Sequence, residues 1–188
     1  MFTLDALQSQ IPSMREFRRA PTHLWQPDDC GAVDIRIAEQ GQWWHEGTVI
    51  RRESLVRLLA SVLVREGDTY WLKTPGEKLQ VQVDDAPFIV PDLKPVKADD
   101  PGADDTGALH ARTNVGEEIT LTNPWTLQPT PDGEWLPWLP VHDGLGARLT
   151  RNLYYHLCHQ ALAQNHDGND DGILYWHAVG QYWPLGQL

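Results

Sequence analysis

Cysteine and serine are scarce in this chain of 188 residues. The two cysteines, Cys30 and Cys158, stand far apart with no C-x-x-C spacing, which excludes a readable disulfide scaffold or zinc ribbon. They read as small buried residues rather than reactive thiols. None of the four serines, at 9, 13, 54 and 61, lies in a G-x-S-x-G elbow, and both the G-x-G-x-x-G and P-loop patterns are missing. The longest apolar run, Leu55 to Val64, is broken by Arg57 and Ser61 and falls short of the ~18 residues a membrane helix needs. Met1 to Leu7 lacks the basic-then-apolar layout of a secretory signal. These absences predict a cytoplasmic globular protein with no membrane partner, no cofactor and no recognisable catalytic motif.

Positive charge is also in short supply. Fifteen Lys and Arg against 26 Asp and Glu leave a net charge of −11, which argues against a nucleic-acid partner because such binding neutralises phosphates with cations. The deficit is uneven. Residues 15–65 carry eight arginines against seven acids, whereas residues 108–188 carry three against eight. An anionic partner would therefore meet the first half. Tryptophan, by contrast, is plentiful at nine residues, and ring-rich segments such as Trp43-Trp44, Trp135-Leu-Pro-Trp138 and Tyr182-Trp183 offer core volume or a lined pocket.

The organisation follows from composition and periodicity. Residues 1–20 read as a peripheral segment with a short helix carrying Leu4, Leu7 and Ile11. Pro91 to Gly107 is rich in Pro, Gly and Asp and reads as a linker, placed at 96–107, between modules at 21–95 and 108–188. In the first module Val33, Ile35 and Ile37 alternate as in a strand. Leu55, Leu58, Leu59, Val62 and Leu63 form a helical stripe of about three turns, and Leu79, Val81 and Val83 alternate again. Leu149, Leu153, Leu157 and Ala161 predict the second module's helix. Several echoes point to an internal duplication: Gly41-Gln-Trp43 with Gly133-Glu-Trp135, Tyr70-Trp71 with Tyr175-Trp176, and Gly76-Glu77 with Gly116-Glu117. The expected class is α+β, two related modules of antiparallel sheet with one helix each.

Candidate sites stand beside plainer readings. Asp167-Gly-Asn169-Asp-Asp171-Gly172 opens like a calcium loop but has Ala178 where the bidentate Glu belongs, so an Asx-rich turn explains it. His156 and His159 share a helix face with no third ligand at a usual spacing. Lys73-Thr74 and Arg112-Thr113-Asn114 each set a cation beside a hydroxyl at a strand end near a glycine. That group could hold a phosphate or carboxylate, or simply satisfy its own turn.

An ordered set of motifs adds a family. Cys30-Gly-x-x-Asp34-x-Arg36-Ile37, Gly47-x-x-Ile50-x-Arg52-x-x-Leu55-Val56-Arg57-Leu58, Tyr70-Trp71-Leu72-x-Thr74-Pro75-x-Glu77-Lys78, Asp85-Ala-Pro87-Phe88, Arg112-Thr113-Asn114-Val115-Gly116 and Tyr182-Trp183-Pro184-Leu185-Gly186 follow in turn. Together they resemble the bacterial domain-of-unknown-function family 1285 over roughly residues 24–186. Asn123-Pro124-Trp125 departs from the His-Pro-Leu the family tends to show, which weakens any role for a histidine there. The resemblance implies two related α+β modules, the second superficially similar to a pleckstrin-homology fold. It also implies a ligand cleft between them in a signal-transduction setting. Carried onto this chain, the implied site residues are Arg36, Lys73, Thr74, Arg112, Thr113 and Asn114, with Trp43 or Trp71 placed to stack on a ring. The leading expectation is a non-catalytic protein binding a small anionic, nucleotide-like ligand. The alternatives are a protein–protein interaction module and an enzyme of unrecognised type.

Overall fold

A computed structural model describes residues 17–96, 107–164 and 171–187. The expected N-terminal helix, residues 97–106 of the expected linker and most of the Asp167–Gly172 loop lie outside the described residues. The chain divides into two compact units. The first comprises Met1–Pro87 with the short segments Val115–Glu117 and His142–Leu145; the second comprises Phe88–Asn114, Glu118–Val141 and Gly146–Leu188. The division after Pro87 assigns residues 88–95 to the second unit. Among the described residues no helix is long and apolar enough to cross a membrane.

In the first unit the strands are β1 (Asp29–Ile37), β2 (Trp43–His45), β3 (Thr48–Val49), β4 (Leu63–Glu66), β5 (Thr69–Lys73) and β6 (Glu77–Val83), with helix α1 (Glu53–Ser61) between β3 and β4. They form one sheet in the order β3-β2-β1-β6-β5-β4. All neighbours pair antiparallel except β1 and β6, which are parallel, so the sheet is mixed. The β1–β6 register slips between Ala32 and Arg36 by two residues (Ala32 faces Gln80, Arg36 faces Gln82). A slip of two preserves the period of the side chains, so Ile35 and Ile37 stay in the core with Leu79 and Val81.

The α1 stripe buries Leu55, Leu58 and Leu59 as its spacing predicts, but the helix stops at Ser61. Val62 and Leu63 are buried outside it. Two interactions end the helix. The Ser61 hydroxyl takes the Leu58 carbonyl at 2.7 Å, and the Val62 carbonyl accepts from the Lys73 N–H of β5 at 2.9 Å. Leu63 then starts the β4–β5 hairpin, whose turn needs the left-handed Gly67 at φ 61°.

The second unit carries β7 (Phe88–Val90), β8 (Asp92–Pro95), β9 (Leu109–Arg112), β10 (Glu118–Leu121), β11 (Thr126–Pro129), β12 (Trp135–Pro140), β13 (Gly146–Leu149), helix α2 (Arg151–Ala163), β14 (Ile173–Ala178) and β15 (Gln181–Gln187). They make three sheets: β10-β9-β8, β11-β12-β13-β7 and the β14–β15 hairpin. β13 and β7 pair in parallel. Thr150 caps α2 by accepting from the Leu153 N–H, so Leu149 belongs to β13 and the helix buries Leu157 and Ala161. At its other end the Gln164 amide takes both the N–H and the C=O of His177, at 3.0 and 2.9 Å.

Among the described residues each unit thus joins sheet to one α-helix followed by an antiparallel hairpin, and the class is α+β. The echoed residues do not fall at matching places. Trp43 is buried whereas Trp135 is exposed, and Tyr70-Trp71 lies on the second strand of its hairpin but Tyr175-Trp176 on the first. Gly76 precedes a strand paired to β1 in parallel, whereas Gly116 precedes the antiparallel β10.

Proline shapes the second unit. Pro129, Pro137 and Pro140 lie in β11 and β12 and can donate nothing to the ladder. Arg148 supplies donors instead. Its Nη1 reaches the carbonyls of Leu136 at 2.7 Å and of Gln128 and Pro137 at 3.2 Å, and its Nη2 reaches Pro129 O at 3.0 Å. The guanidinium also lies over the Trp138 ring, 5.1 Å from its centroid, and the residue is 6% exposed. Gly146 makes room for the same indole, since a Cβ there would clash with three of its ring atoms. Replacing Arg148 by Met should cost about 2–4 kcal/mol in urea unfolding, because one buried and three part-buried carbonyls lose their donor at once. Arg148→Lys should recover only part of that loss, since an ammonium lacks the planar fork.

Candidate ligand site

The six residues singled out from sequence divide between the units: Arg36, Lys73 and Thr74 in the first, Arg112, Thr113 and Asn114 in the second. Arg36 on β1 is held by Asp84, with Nε 2.8 Å from Oδ1 and Nη2 2.6 Å from Oδ2. Those hydrogen bonds, then the carboxylate's charge, raise the guanidinium above its ordinary pKa. Arg36 and Lys73 flank β6 from opposite sides, opposite Gln82 and Lys78. Four residues of strand separate those positions, about 13 Å, so the two cations do not converge on one small anion.

Thr74 closes the β5–β6 turn. Its hydroxyl donates to Glu77 O and accepts from Glu77 N, both at 3.1 Å, while its own N–H meets Glu77 O at 2.9 Å. Asn114 plays a comparable part in the second unit: its N–H donates to Ile89 O at 2.9 Å, and its Oδ1 accepts from Ile89 N at 3.1 Å. Thr113 is buried. Arg112 stands between two acids, Asp92 on β8 and Glu118 on β10, each directly opposite it. Thr74 and Asn114 therefore serve their own backbone, and Arg112 sits in a mixed-charge row.

Lys73 has a different setting. It faces Lys78 directly across the β5–β6 ladder, on the side of the sheet away from Leu72 and Leu79. Like charges placed opposite each other are destabilising. Lys78 escapes by leaning over the Trp71 ring, 4.6 Å from its centroid, to pair with Glu66 at 2.7 Å. Lys73 is half-buried and forms no ion pair among the described residues. Trp71 shares its face, two residues away, with Gln80 opposite the ring. Lys78 was not singled out from sequence, although the four-residue turn from Thr74 to Glu77 already sets Lys73 against it.

Two other polar clusters carry less. In the first unit His142 Nδ1 is 2.9 Å from Glu117 Oε1, and Arg19 Nε is 3.7 Å from the same oxygen. Both partners of the pair are more than nine-tenths buried, which suits an anchor rather than a group that meets substrate. Nothing local signals a contact between residues 25 apart. In the second unit burial raises the Cys158 thiol and pushes the neighbouring Tyr154 hydroxyl up strongly. His156 and His159 are exposed on α2, and His156 contacts Gln160.

Comparison with known proteins places this geometry in a family. Residues 20–86 match the model described as domain of unknown function (DUF1285), N-terminal domain, and residues 87–185 match protein of unknown function (DUF1285), C-terminal domain. The chain belongs to the DUF1285 family. A crystal structure of a DUF1285 family protein from Silicibacter pomeroyi DSS-3 is similar at 33% identity and a TM-score of 0.76, covering 99% of this chain and 96% of that one. A second, from Shewanella baltica OS155, is 30% identical over 65% of this chain and 87% of that one, with a TM-score of 0.49. No curated protein matches this DUF1285 chain. The pleckstrin-homology likeness rests on the sequence resemblance alone. The departure at Asn123-Pro124-Trp125 has a packing role: Trp125 is buried against Trp183, centroids 4.7 Å apart, and its Nε1 donates to Pro184 O at 2.6 Å.

Two outcomes follow for this DUF1285 protein. Asn114→Ala should lower stability by about 1–2 kcal/mol in chemical denaturation, whereas Arg112→Ala on the exposed row should change it little. Cys30 is exposed rather than buried as its sequence reading expected, so with a thiol reagent at mildly alkaline pH it should react first. Cys158 should lag until the protein is unfolded, because a raised pKa leaves less thiolate and burial limits access.

Proposed function

We propose that this DUF1285 protein is a non-catalytic binding protein for a small anionic, nucleotide-like ligand, acting in signal transduction. The observation that carries the reading is the facing pair Lys73 and Lys78, one of them half-buried without an ion pair among the described residues. A phosphate between the two ammonium groups would turn a repulsive pair into two charge-assisted contacts. It would also draw Lys78 back from the Trp71 ring and uncover that face for stacking by a base. Gln80, across from Trp71, supplies an amide for neutral hydrogen bonds. Of the six residues implied by the resemblance, Lys73 would meet ligand charge while Thr74 holds its turn.

A second reading, a protein–protein interaction module, draws on Trp135, Tyr155, Leu162 and Tyr182, large apolar side chains exposed in the second unit. A thermal-shift panel of nucleotides, nucleosides and inorganic pyrophosphate separates the two readings. Nucleotides should raise the melting temperature, and Lys73→Ala should weaken them by ~1.5–3 kcal/mol, the usual worth of a contact to a charged group. Trp71→Ala should affect nucleotides but not pyrophosphate. A flat panel, or full affinity in Lys73→Ala, would leave the interaction module as the better account.

A further inference from the structure

Lys78 reaches across three rows of the first sheet. Its backbone lies opposite Lys73, and its ammonium lies over Trp71, with Nζ 4.6 Å from the ring centroid. Glu66 Oε2 holds that ammonium at 2.7 Å. Glu66 belongs to the row beyond the ring. It stands opposite Thr69, which is two residues from Trp71 on β5, so the carboxylate and the indole share one side of the sheet. The two distances taken together put Glu66 Oε2 at most about 7 Å from the ring centroid. Lysine pair, indole and carboxylate therefore stand in line, in rows roughly 7 Å apart. The Glu66 side chain is 45% exposed, whereas that of Lys78, held between ring and carboxylate, is 18% exposed.

We propose that the base of the nucleotide-like ligand is guanine, selected by the Glu66 carboxylate. The inference rests on the nucleotide reading above, in which a phosphate draws Lys78 back toward Lys73 and a base stacks on Trp71. That withdrawal takes the Lys78 ammonium from Glu66 and leaves the carboxylate facing the edge of the stacked base. A carboxylate can only accept hydrogen bonds. Guanine presents two adjacent donors on one edge, N1–H and the N2 amine, which meet both oxygens as the fork of an arginine does. Adenine and cytosine each set one amine beside a bare ring nitrogen, whose lone pair would face the second oxygen. Uracil sets a single N–H between two carbonyls. Those three bases would leave Glu66 with a repelled or unpaired oxygen. One residue thus holds the ring covered through Lys78 and reads the base that uncovers it.

The test titrates the full chain with GMP, IMP, AMP and inorganic pyrophosphate and compares their dissociation constants. IMP differs from GMP only in lacking the N2 amine. GMP should bind at least about tenfold tighter than AMP, with IMP between them. Glu66→Gln should bring GMP down to about the affinity of AMP. The same variant should hold AMP and pyrophosphate as tightly as before or more so, because Lys78 has no ion pair to give up. A damaged fold would instead weaken all four probes, and the melting temperature of the variant checks for it. If Glu66→Gln unfolds, the comparison of GMP with IMP on the unaltered protein carries the test. Equal affinity for GMP, IMP and AMP, or a GMP preference kept in Glu66→Gln, would overturn the guanine assignment while the nucleotide reading stands. Saturable binding of no nucleotide would overturn both.

Discussion

Buried carbonyls must have donors, and in the second unit the backbone alone cannot provide them. Its strands are short and several are closed by proline, so the ladder runs out of N–H groups while acceptors remain. Side chains complete the count. Arg148 serves carbonyls of β11 and β12, Asn114 pairs with Ile89 as a strand residue would, and Gln164 finishes the outer edge of β14. The indoles of Trp125 and Trp183 give their N–H groups to Pro184 and Ala178. Packing and hydrogen bonding are joined in Trp125 and Trp183, and both are buried.

Much of the fold was legible because it is written in local periodicity. The alternation around Ile35 and around Leu79 to Val83, and the stripes of both helices, each reports one buried face. Legibility failed where a distant partner decides. Val62 and Leu63 fit the α1 stripe, yet β5 claims them for the sheet, and both destinations are equally dry. Residues 88–95 read as the end of the first module until the parallel pairing of Phe88 to Val90 with Ala147 to Leu149 is seen.

The candidate site shows the same division. Thr74 and Asn114 drew notice as hydrogen-bonding residues near glycines, and they are that, but their bonds close turns and join strands. Lys73 drew notice as a cation beside a hydroxyl; its distinction is instead the lysine across the ladder. A like-charge pair runs against local stability, and such breaches of the folding rules are where function is most often found. The buried Glu117–His142 pair breaches nothing of that kind, since a carboxylate beside an imidazole sets no two like charges together.

The parallel pairing of β1 with β6 at the centre of the first sheet also orders events in time. β1 is the first strand of the unit and β6 its last, so the middle of the sheet joins segments some 40 residues apart, Asp29 to Ile37 with Glu77 to Val83. Loops of that length close slowly compared with the tight β4–β5 and β5–β6 hairpins. During synthesis β1 and β2 must wait with one edge bare while α1 and β4 to β6 assemble from local contacts. The unit gains its central seam only when residues 77–83 have left the ribosome, and its buried carboxylate–imidazole anchor only when His142 has followed.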